Sequence, residues 1–255
     1  MENNVPAAGI TGPGEAVPTM GFFQRLIGVY FEPRKTYEDI SRKPSWLGIW
    51  IIASILGIGM NYVLTTRIDH ETLMRKSLAM NPMTKNLPEE QIQTIVSQPQ
   101  GAFARYSQMI FAPVGVLLVY ILIAAVFLLL FVLMGANISF KKSLAATFWG
   151  MGPPGIIGGI FAIIVMYLKD PMDIEVNPVA NVVSNLGLLA AEKEHPILNS
   201  LLSSIDVFSF WTIFLLSLSF AAISDHSMTV KKSATGVLIL WALWVIGKAA
   251  FFAIF

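Results

Sequence analysis

The chain has 255 residues, of which 55% are hydrophobic and 13% are charged, whereas an average soluble domain has about 25% charged residues. With a mean hydropathy of +0.66, this composition excludes an ordinary soluble domain and indicates an integral membrane protein. The net charge of +1 gives no indication of a nucleic-acid partner. The absence of cysteine excludes disulfide frameworks, thiolate metal sites and cysteine nucleophiles.

The first 20 residues are rich in proline, glycine and alanine, and they lack the basic and apolar regions of a secretory signal. We therefore expect residues 1–20 to form a disordered tail. Residues 21–45 are predicted to form interfacial amphipathic helices. In the first of these, Gln24, Arg25 and Gly28 lie opposite an apolar side. That side consists of Phe22, Phe23, Leu26, Ile27 and Tyr30.

The second interfacial helix begins at Pro33, which suits a first helical turn, and ends before Pro44. Its basic residues suit anionic lipid headgroups. Two roles fit residues 21–45: anchoring the first membrane span, and sensing lipid or membrane curvature.

Five apolar runs follow, most of them near the ~20 residues that a helix needs to cross ~30 Å of hydrocarbon. They predict an all-α polytopic fold with five transmembrane helices in a membrane domain of residues 46–255. The predicted spans are about 46–66, 110–134, 143–168, 207–224 and 234–255.

Two short connections carry paired lysines, Lys141-Lys142 and Lys231-Lys232. Lysines and arginines in short loops favour the cytoplasmic side, whereas long loops count weakly. The pairs therefore predict a cytoplasmic amino terminus and, after five spans, a carboxyl terminus outside.

Two longer connections, residues 67–109 and 169–206, are predicted to be helical outer loops. The first contains HETLMRKSLAM and LPEEQIQTIVSQ, which suit a hairpin of two helices. In the second, Asn177, Asn181 and Asn185 recur every four residues and so are expected on one helix face. That face is either a water-exposed surface or a polar patch above a central cavity.

The third span contains Pro153 and Pro154 among five glycines. Adjacent prolines remove two backbone donors, so we expect a kink or a broken helix here. Close helix packing through the glycines is one interpretation, and a transport site at the break is the other.

Lys248 is the one strongly charged residue deep within an apolar run. Because an unpaired charge in hydrocarbon is costly, we predict an intramembrane pair between Lys248 and Asp206 at the start of the fourth span. The alternative is snorkelling of the lysine to the membrane surface. The lysine pairs also lie ninety positions apart in the related strings ISFKKSLAA and MTVKKSATG, which suggests a duplicated helical hairpin.

No catalytic constellation is present in the sequence. The three histidines, His70, His195 and His226, lie in separate loops without metal-ligand spacing. We therefore expect neither an enzyme nor a bound metal or cofactor.

Three segments resemble the bacterial branch of the Yip-domain family, the relatives of Rab-interacting Yip membrane proteins: FEPRKTYEDISRKPSW, SSIDVFSFWTIFLLSLSFAAIS and KKSATGVLILWALWVIGKAAFF. The resemblance covers residues 22–255, and the family has five membrane helices. The residues that carry it are Pro33, Tyr37, Pro44, Asp206, Phe208, Trp211, Trp244 and Lys248.

The resemblance implies a non-enzymatic scaffold of a bacterial inner membrane that binds lipid, partner membrane proteins or a second copy of itself, and shapes the membrane. The alternative is a small-solute or ion transporter that uses the Pro153-Pro154 break. No Rab partner is inferred, because the chain lacks the long acidic cytosolic domain of the eukaryotic members.

Overall fold

The computed structural model describes residues 19–81, 83–98, 101–190, 195–225 and 227–254. The tail predicted for residues 1–20 therefore lies almost wholly outside the described residues. The described residues form an all-α fold of ten α-helices and three short 3-10 helices. The α-helices are α1 Phe22–Phe31, α2 Pro33–Arg42, α3 Leu47–Arg67, α4 His70–Met80, α5 Glu89–Ser97, α6 Ala102–Leu133, α7 Phe140–Leu168, α8 Pro196–Leu202, α9 Val207–Ile223 and α10 Val230–Ile254. The 3-10 helices are Pro171–Asp173, Pro178–Asn181 and Leu186–Leu189.

Among the described residues, four helices are long and apolar enough to cross a membrane. They are Leu47–Arg67, Met109–Leu133, Phe140–Leu168 and Val230–Phe251. The remaining predicted span corresponds to α9, an apolar helix of 17 residues. At ~1.5 Å per residue α9 is about 25 Å long, which is shorter than the others because Asp206 caps its first turn.

Helix α7 lies at the centre and packs against α3, α6 and α9. Its first half is buried, and the side chains of Phe148 and Trp149 are almost completely enclosed. Glycines allow this close approach: a Cβ at Gly150 would overlap Leu216 of α9, and one at Gly152 would overlap Ile49 of α3. Gly150 and Gly152 of the third predicted span therefore serve close helix packing.

The neighbours of α7 also show the helix directions. Ile49 lies at Gly152 and Ile163 lies near Gly59, so α3 and α7 run parallel. In α9 the order is reversed, since Leu216 lies at Gly150 whereas Phe208 lies near Gly158. Because Ile49 is near the start of α3, the first third of α7 is left uncovered by α3.

The paired lysines lie in the first turns of α7 and α10, because these helices begin earlier than predicted, at Phe140 and Val230. Each start is set by a hydroxyl cap. Ser139 accepts a hydrogen bond from the amide of Lys142 at 3.4 Å, and Thr229 accepts one from the amide of Lys232 at 3.2 Å.

The two helical hairpins α6–α7 and α9–α10 repeat at the ninety-residue interval seen in the sequence. α6 ends at Leu133 and α9 at Ile223, and the following helices also start ninety positions apart. Both turns contain a residue with positive φ, Gly135 at 87° and Asp225 at 48°. The shared turn geometry supports the interpretation of a duplicated hairpin.

These two turns lie together at one end of the bundle. Lys142 of the first forms an ion pair with Asp225 of the second at 2.7 Å. The amide of Asn137 donates to the hydroxyl of Ser227 at 3.4 Å. The lysine pairs are therefore on the same side of the molecule, as predicted.

The predicted helices of the first long connection are present as α4 and α5, which pack against each other. Arg75 of α4 joins them, because it binds Glu89 at 2.7 Å and Glu71 at 3.0 Å. Lys76 then reaches the second long connection and donates to the carbonyl of Ile174 at 2.9 Å. The two long connections thus meet at the end of the bundle opposite the lysine turns.

Two expectations were wrong in this part of the fold. α7 is a single continuous helix through Pro153 and Pro154, so the predicted break does not occur. Asn177, Asn181 and Asn185 do not share a helix face, because their segment forms separate 3-10 helices. Asn177 and Asn185 each cap one of these, and Asn181 is buried, where its amide donates to the carbonyl of Glu175 at 3.0 Å. Two of the three asparagines are therefore turn caps, and the third is buried between them.

Candidate functional site at the amino-terminal helical hairpin

Helices α1 and α2 form a tight hairpin that covers the part of α7 left open by α3. Pro33 occupies the first position of α2, where a missing N–H costs nothing. The helices touch where Gly28 faces Thr36, since a Cβ at Gly28 would overlap the Thr36 hydroxyl. We call these two helices the amino-terminal hairpin.

A buried ion pair fixes the amino-terminal hairpin internally. The Arg25 Nε donates to the Asp39 carboxylate at 2.7 Å, and each side chain is only 4% exposed. The guanidinium also donates to the Lys43 carbonyl at 3.0 Å and to the Ser45 hydroxyl at 2.7 Å. Arg25 lies opposite the predicted apolar side, yet it is buried, because its charge is satisfied by α2 and by the segment that leads into α3.

Two tyrosines attach the amino-terminal hairpin to α7 at the double proline. Pro153 has no N–H, so it cannot donate to the carbonyl four residues earlier, that of Trp149. The hydroxyl of Tyr37 donates to this carbonyl at 2.9 Å. The hydroxyl of Tyr30 donates to the Pro153 carbonyl at 3.0 Å. Side chains of the hairpin therefore donate to two carbonyls of α7 at the proline site.

Both hydroxyls remain protonated donors at neutral pH. Burial raises the pKa of Tyr30 to about 12. Burial also raises the pKa of Tyr37 well above its usual range, and the nearby Tyr30 adds to this effect. Because the neutral form is favoured, these hydrogen bonds do not depend on pH below about 10.

The segment between α2 and α3 is attached to α7 by aromatic side chains. The indole of Trp149 donates to the Ser45 carbonyl at 2.6 Å. Trp46 stacks on Phe148 with ring centroids 5.4 Å apart, and Phe22 of α1 lies 5.9 Å from the Trp149 ring. The hairpin and the bundle therefore share one apolar core.

The other side of α1 is apolar and uncovered. Phe23, Ile27 and Phe31 are 73%, 60% and 81% exposed, and their spacing of four places them in one row along the helix. We call this row the α1 stripe. The predicted apolar side of this helix is thus divided: Phe22 and Leu26 pack against the core, whereas the α1 stripe faces outward.

Asp206 and Lys248, which were predicted to pair with each other, each form hydrogen bonds with other residues. The Lys248 Nζ donates to the Ser203 hydroxyl at 3.1 Å. The Asp206 carboxylate caps α9 by accepting from the amide of Ser209 at 3.0 Å, and it also accepts from the hydroxyl of Ser184. The ion pairs found among the described residues do not include one between Asp206 and Lys248.

The histidines do not form a site in the described part of the chain. His70 begins α4 and His195 precedes α8, whereas His226 lies outside the described residues. Within the described ranges, no three His, Cys, Asp or Glu side chains come close enough to hold a metal ion.

Sequence reasoning missed the residues that fasten the hairpin. Tyr37 was noted only within a family pattern, and Asp39 was not singled out. One signal was available. Pro153 leaves a backbone carbonyl without its donor in a helix that is not exposed to water, so another residue must supply a buried donor.

The long apolar helices, their alternating directions and the docked hairpin define a polytopic α-helical membrane protein. The Yip1 domain family model matches residues 27–253. Since this is most of the chain, the protein belongs to the Yip1 domain family, whose members are generally non-enzymatic membrane trafficking proteins. No curated protein and no solved structure matches the chain.

Proposed function

We propose that this protein is a non-enzymatic scaffold of a bacterial inner membrane that binds lipid and shapes the bilayer through its amino-terminal hairpin. The observation that carries the proposal is the α1 stripe, a row of exposed apolar side chains on a helix that is fastened to the bundle. Apolar helix faces of this kind enter the boundary between headgroups and acyl chains, about 5–10 Å deep.

The attachment of the hairpin gives this insertion a mechanical effect. The Arg25–Asp39 ion pair and the Tyr37 hydrogen bond hold α1 against α7, so α1 cannot leave the bundle independently. The hairpin then adds cross-section to one leaflet only, beside helices that cross both leaflets. Added area in a single leaflet makes that leaflet the convex one, so the membrane bends toward the opposite side.

In the proposed arrangement α9 also crosses the membrane, as the fourth of five spans. Its length of about 25 Å is short for ~30 Å of hydrocarbon, which local thinning of the bilayer accommodates. The lysine turns and the hairpin then lie on the cytoplasmic side. Neighbouring membrane proteins or a second copy are further partners that the uncovered apolar faces of α6 and α10 suit.

We do not extend the proposal to solute transport. A transport site at a broken helix would offer free backbone carbonyls to the solute. In this protein the Trp149 carbonyl already accepts from Tyr37, and α7 continues through Pro153.

Reconstitution into liposomes tests the scaffold proposal. The wild-type protein is expected to convert large vesicles into small vesicles or tubules, as seen by electron microscopy, in proportion to its density in the membrane. Phe23→Ser, Ile27→Ser and Phe31→Ser together remove the α1 stripe and are expected to abolish most of this effect. A matched control changes exposed methionines at the opposite end, Met80→Ser and Met83→Ser, which are 56% and 91% exposed.

The control is expected to deform vesicles like the wild type. Vesicles that keep their size with the wild-type protein at all densities would overturn the proposal, as would full deformation by the stripe variant. Solute flux, followed in the same vesicles with an entrapped dye and with ion gradients, is expected to be absent.

A further inference from the structure

A groove lies where the start of α2 meets α9 and α10. Its floor is apolar and is formed by Phe214 and Leu218 of α9 and Val230 of α10. Its rim is charged and is formed by the turn between α1 and α2. The volume is about 480 Å³, which is enough for part of a lipid molecule.

The floor belongs to the surface that apolar helices present to the membrane. Phe214 is 53% exposed and Val230 is 40% exposed. α10 is a candidate membrane span and α9 is the shorter apolar helix. The solvent of such a surface is hydrocarbon, so an acyl chain is the natural occupant of this floor.

The rim carries net positive charge. Lys35 forms an ion pair with Glu32 at 3.1 Å, so these two charges largely cancel. Arg34 takes part in no ion pair among the described residues. Lys231 and Lys232 follow Val230 directly and are exposed. An arginine without an acidic partner beside further lysines is suited to a phosphate group.

A second hollow adjoins the first across the Glu32–Lys35 pair. Its volume is about 510 Å³, and Ile27 and Phe31 of the α1 stripe line it together with the same Glu32 and Lys35. One charged turn is thus flanked by two apolar hollows. This pattern matches a molecule with one charged head and two apolar chains.

We propose that the turn between α1 and α2 binds one anionic glycerophospholipid, with its phosphate at Arg34 and an acyl chain along Phe214 and Val230. The proposal deepens the lipid binding of the proposed function, because it rests on placing the hairpin at the membrane surface. A free anion would gain nothing from the apolar floor, and a zwitterionic lipid would bring its own ammonium group against the basic rim.

Native mass spectrometry of the detergent-purified full chain tests the site, with phosphatidylglycerol and phosphatidylcholine as probes. Both lipids carry a phosphate, but the choline ammonium of phosphatidylcholine is repelled by the basic rim. The wild type is therefore expected to bind phosphatidylglycerol about tenfold more tightly than phosphatidylcholine, a difference of about 1.4 kcal/mol. Arg34→Ala with Lys35→Ala is expected to remove most of this preference. Phe214→Ser is expected to weaken both lipids while leaving their ratio unchanged.

The matched control is Arg42→Ala with Lys43→Ala, which removes the same charge from the other end of α2. Both side chains are exposed, and Arg42 donates only within its own helix, to the Glu38 carbonyl at 3.4 Å. This control is expected to keep the lipid preference. Equal binding of both lipids by the wild type, or an equal loss in the control, would overturn the site.

Competition separates a lipid from a free anion. Inorganic phosphate at millimolar concentration is expected to leave phosphatidylglycerol bound, and its displacement of the lipid would reduce the site to a simple anion site. The two proposals fail independently. Vesicle deformation that persists without headgroup preference would overturn only the lipid site, whereas preference without deformation would overturn only the membrane-shaping role.

Discussion

At the residue scale, Tyr37 performs a task that the backbone of α7 cannot. A proline within a helix leaves the carbonyl four residues earlier without its donor, and in a dry environment that carbonyl must find another. Tyr37 is completely buried, and its hydroxyl donates to the Trp149 carbonyl at 2.9 Å. The side chain therefore replaces the N–H that Pro153 lacks, which allows α7 to remain one helix.

This relation predicts a specific double-mutant result. Tyr37→Phe leaves the Trp149 carbonyl buried and unsatisfied, so we expect the free energy of unfolding in detergent to fall by about 1–3 kcal/mol. Pro153→Ala restores the backbone donor, so in that background Tyr37→Phe is expected to cost about 1 kcal/mol less. Chemical denaturation followed by circular dichroism measures all four proteins.

Tyr62→Phe serves as the control for this cycle, because Tyr62 is 54% exposed on α3 and a changed value there would reflect general effects of removing a hydroxyl. Identical losses for Tyr37→Phe with and without Pro153 would refute the replacement of one donor by the other.

The role of a residue was predictable from the sequence only where it depends on neighbouring residues in the chain. The unusual prolines were visible, and so was the need for a donor, but Tyr37 lies 112 residues from the carbonyl it serves. The burial of Arg25 was not predictable because helical periodicity separates apolar from polar residues and does not distinguish solvent from a buried carboxylate. The asparagine spacing of four was equally compatible with one helix and with short turns in which Asn177 and Asn185 are caps.

At the scale of elements, the amino-terminal hairpin is held as a unit by the Arg25–Asp39 pair. Both side chains are almost fully buried, and the guanidinium has two further acceptors, in Lys43 and Ser45. Removing one member of such a pair leaves the other charge buried without compensation.

Asp39→Ala is therefore expected to lower the free energy of unfolding by about 3–5 kcal/mol and to expose the hairpin to limited proteolysis. Arg25→Met with Asp39→Leu together, which leaves no buried charge, is expected to recover most of that stability. The ion pair between Glu71 and Arg75 of α4 is more exposed and serves as the comparison. Glu71→Gln, which removes it, is expected to lower the free energy of unfolding by about 0.5 kcal/mol or less. A double variant as unstable as the single one would contradict this account.

Most helices were predictable because each follows from local chemistry. The long spans were visible as apolar runs, α4 and α5 from their first-turn acids and periodicity, and the repeat from the lysine pairs. The starts of α7 and α10 were predicted three or four residues late, because apolar runs do not include the capped first turn that holds the lysines. Docking of the hairpin depends on contacts distant in sequence, and no periodicity encodes those.

At the scale of the whole molecule, the two ends of the bundle differ in character. One end has the two lysine turns, joined by the Lys142–Asp225 ion pair, and the start of α2 lies close to it beside Val230. The other end has α4, α5 and the 3-10 helices, joined by Lys76. Because lysines in short connections resist translocation, we propose that the lysine end is the cytoplasmic one.

Reporter fusions check the arrangement in cells. Fusions at the amino terminus and at residues 135–139 and 225–229 are expected to report a cytoplasmic location, and fusions at residues 83–87 and at the carboxyl terminus a location outside. Changing Lys141, Lys142, Lys231 and Lys232 to glutamine is expected to produce mixed orientations. A location of residues 225–229 outside would show that α9 does not cross, and a carboxyl terminus on the same side as those residues would show that α10 does not cross.

The docking of Tyr37 onto Trp149 also determines the order of assembly. A ribosome releases the hairpin first, yet the surface on which it docks is formed by α7 and α9. Trp149, for example, emerges 112 residues after Tyr37. The hairpin therefore cannot dock until the centre of the protein has been inserted, and in the proposed arrangement the α1 stripe holds it at the lipid surface in the meantime. The hairpin is therefore synthesised first but docks last, after the central helices are in place.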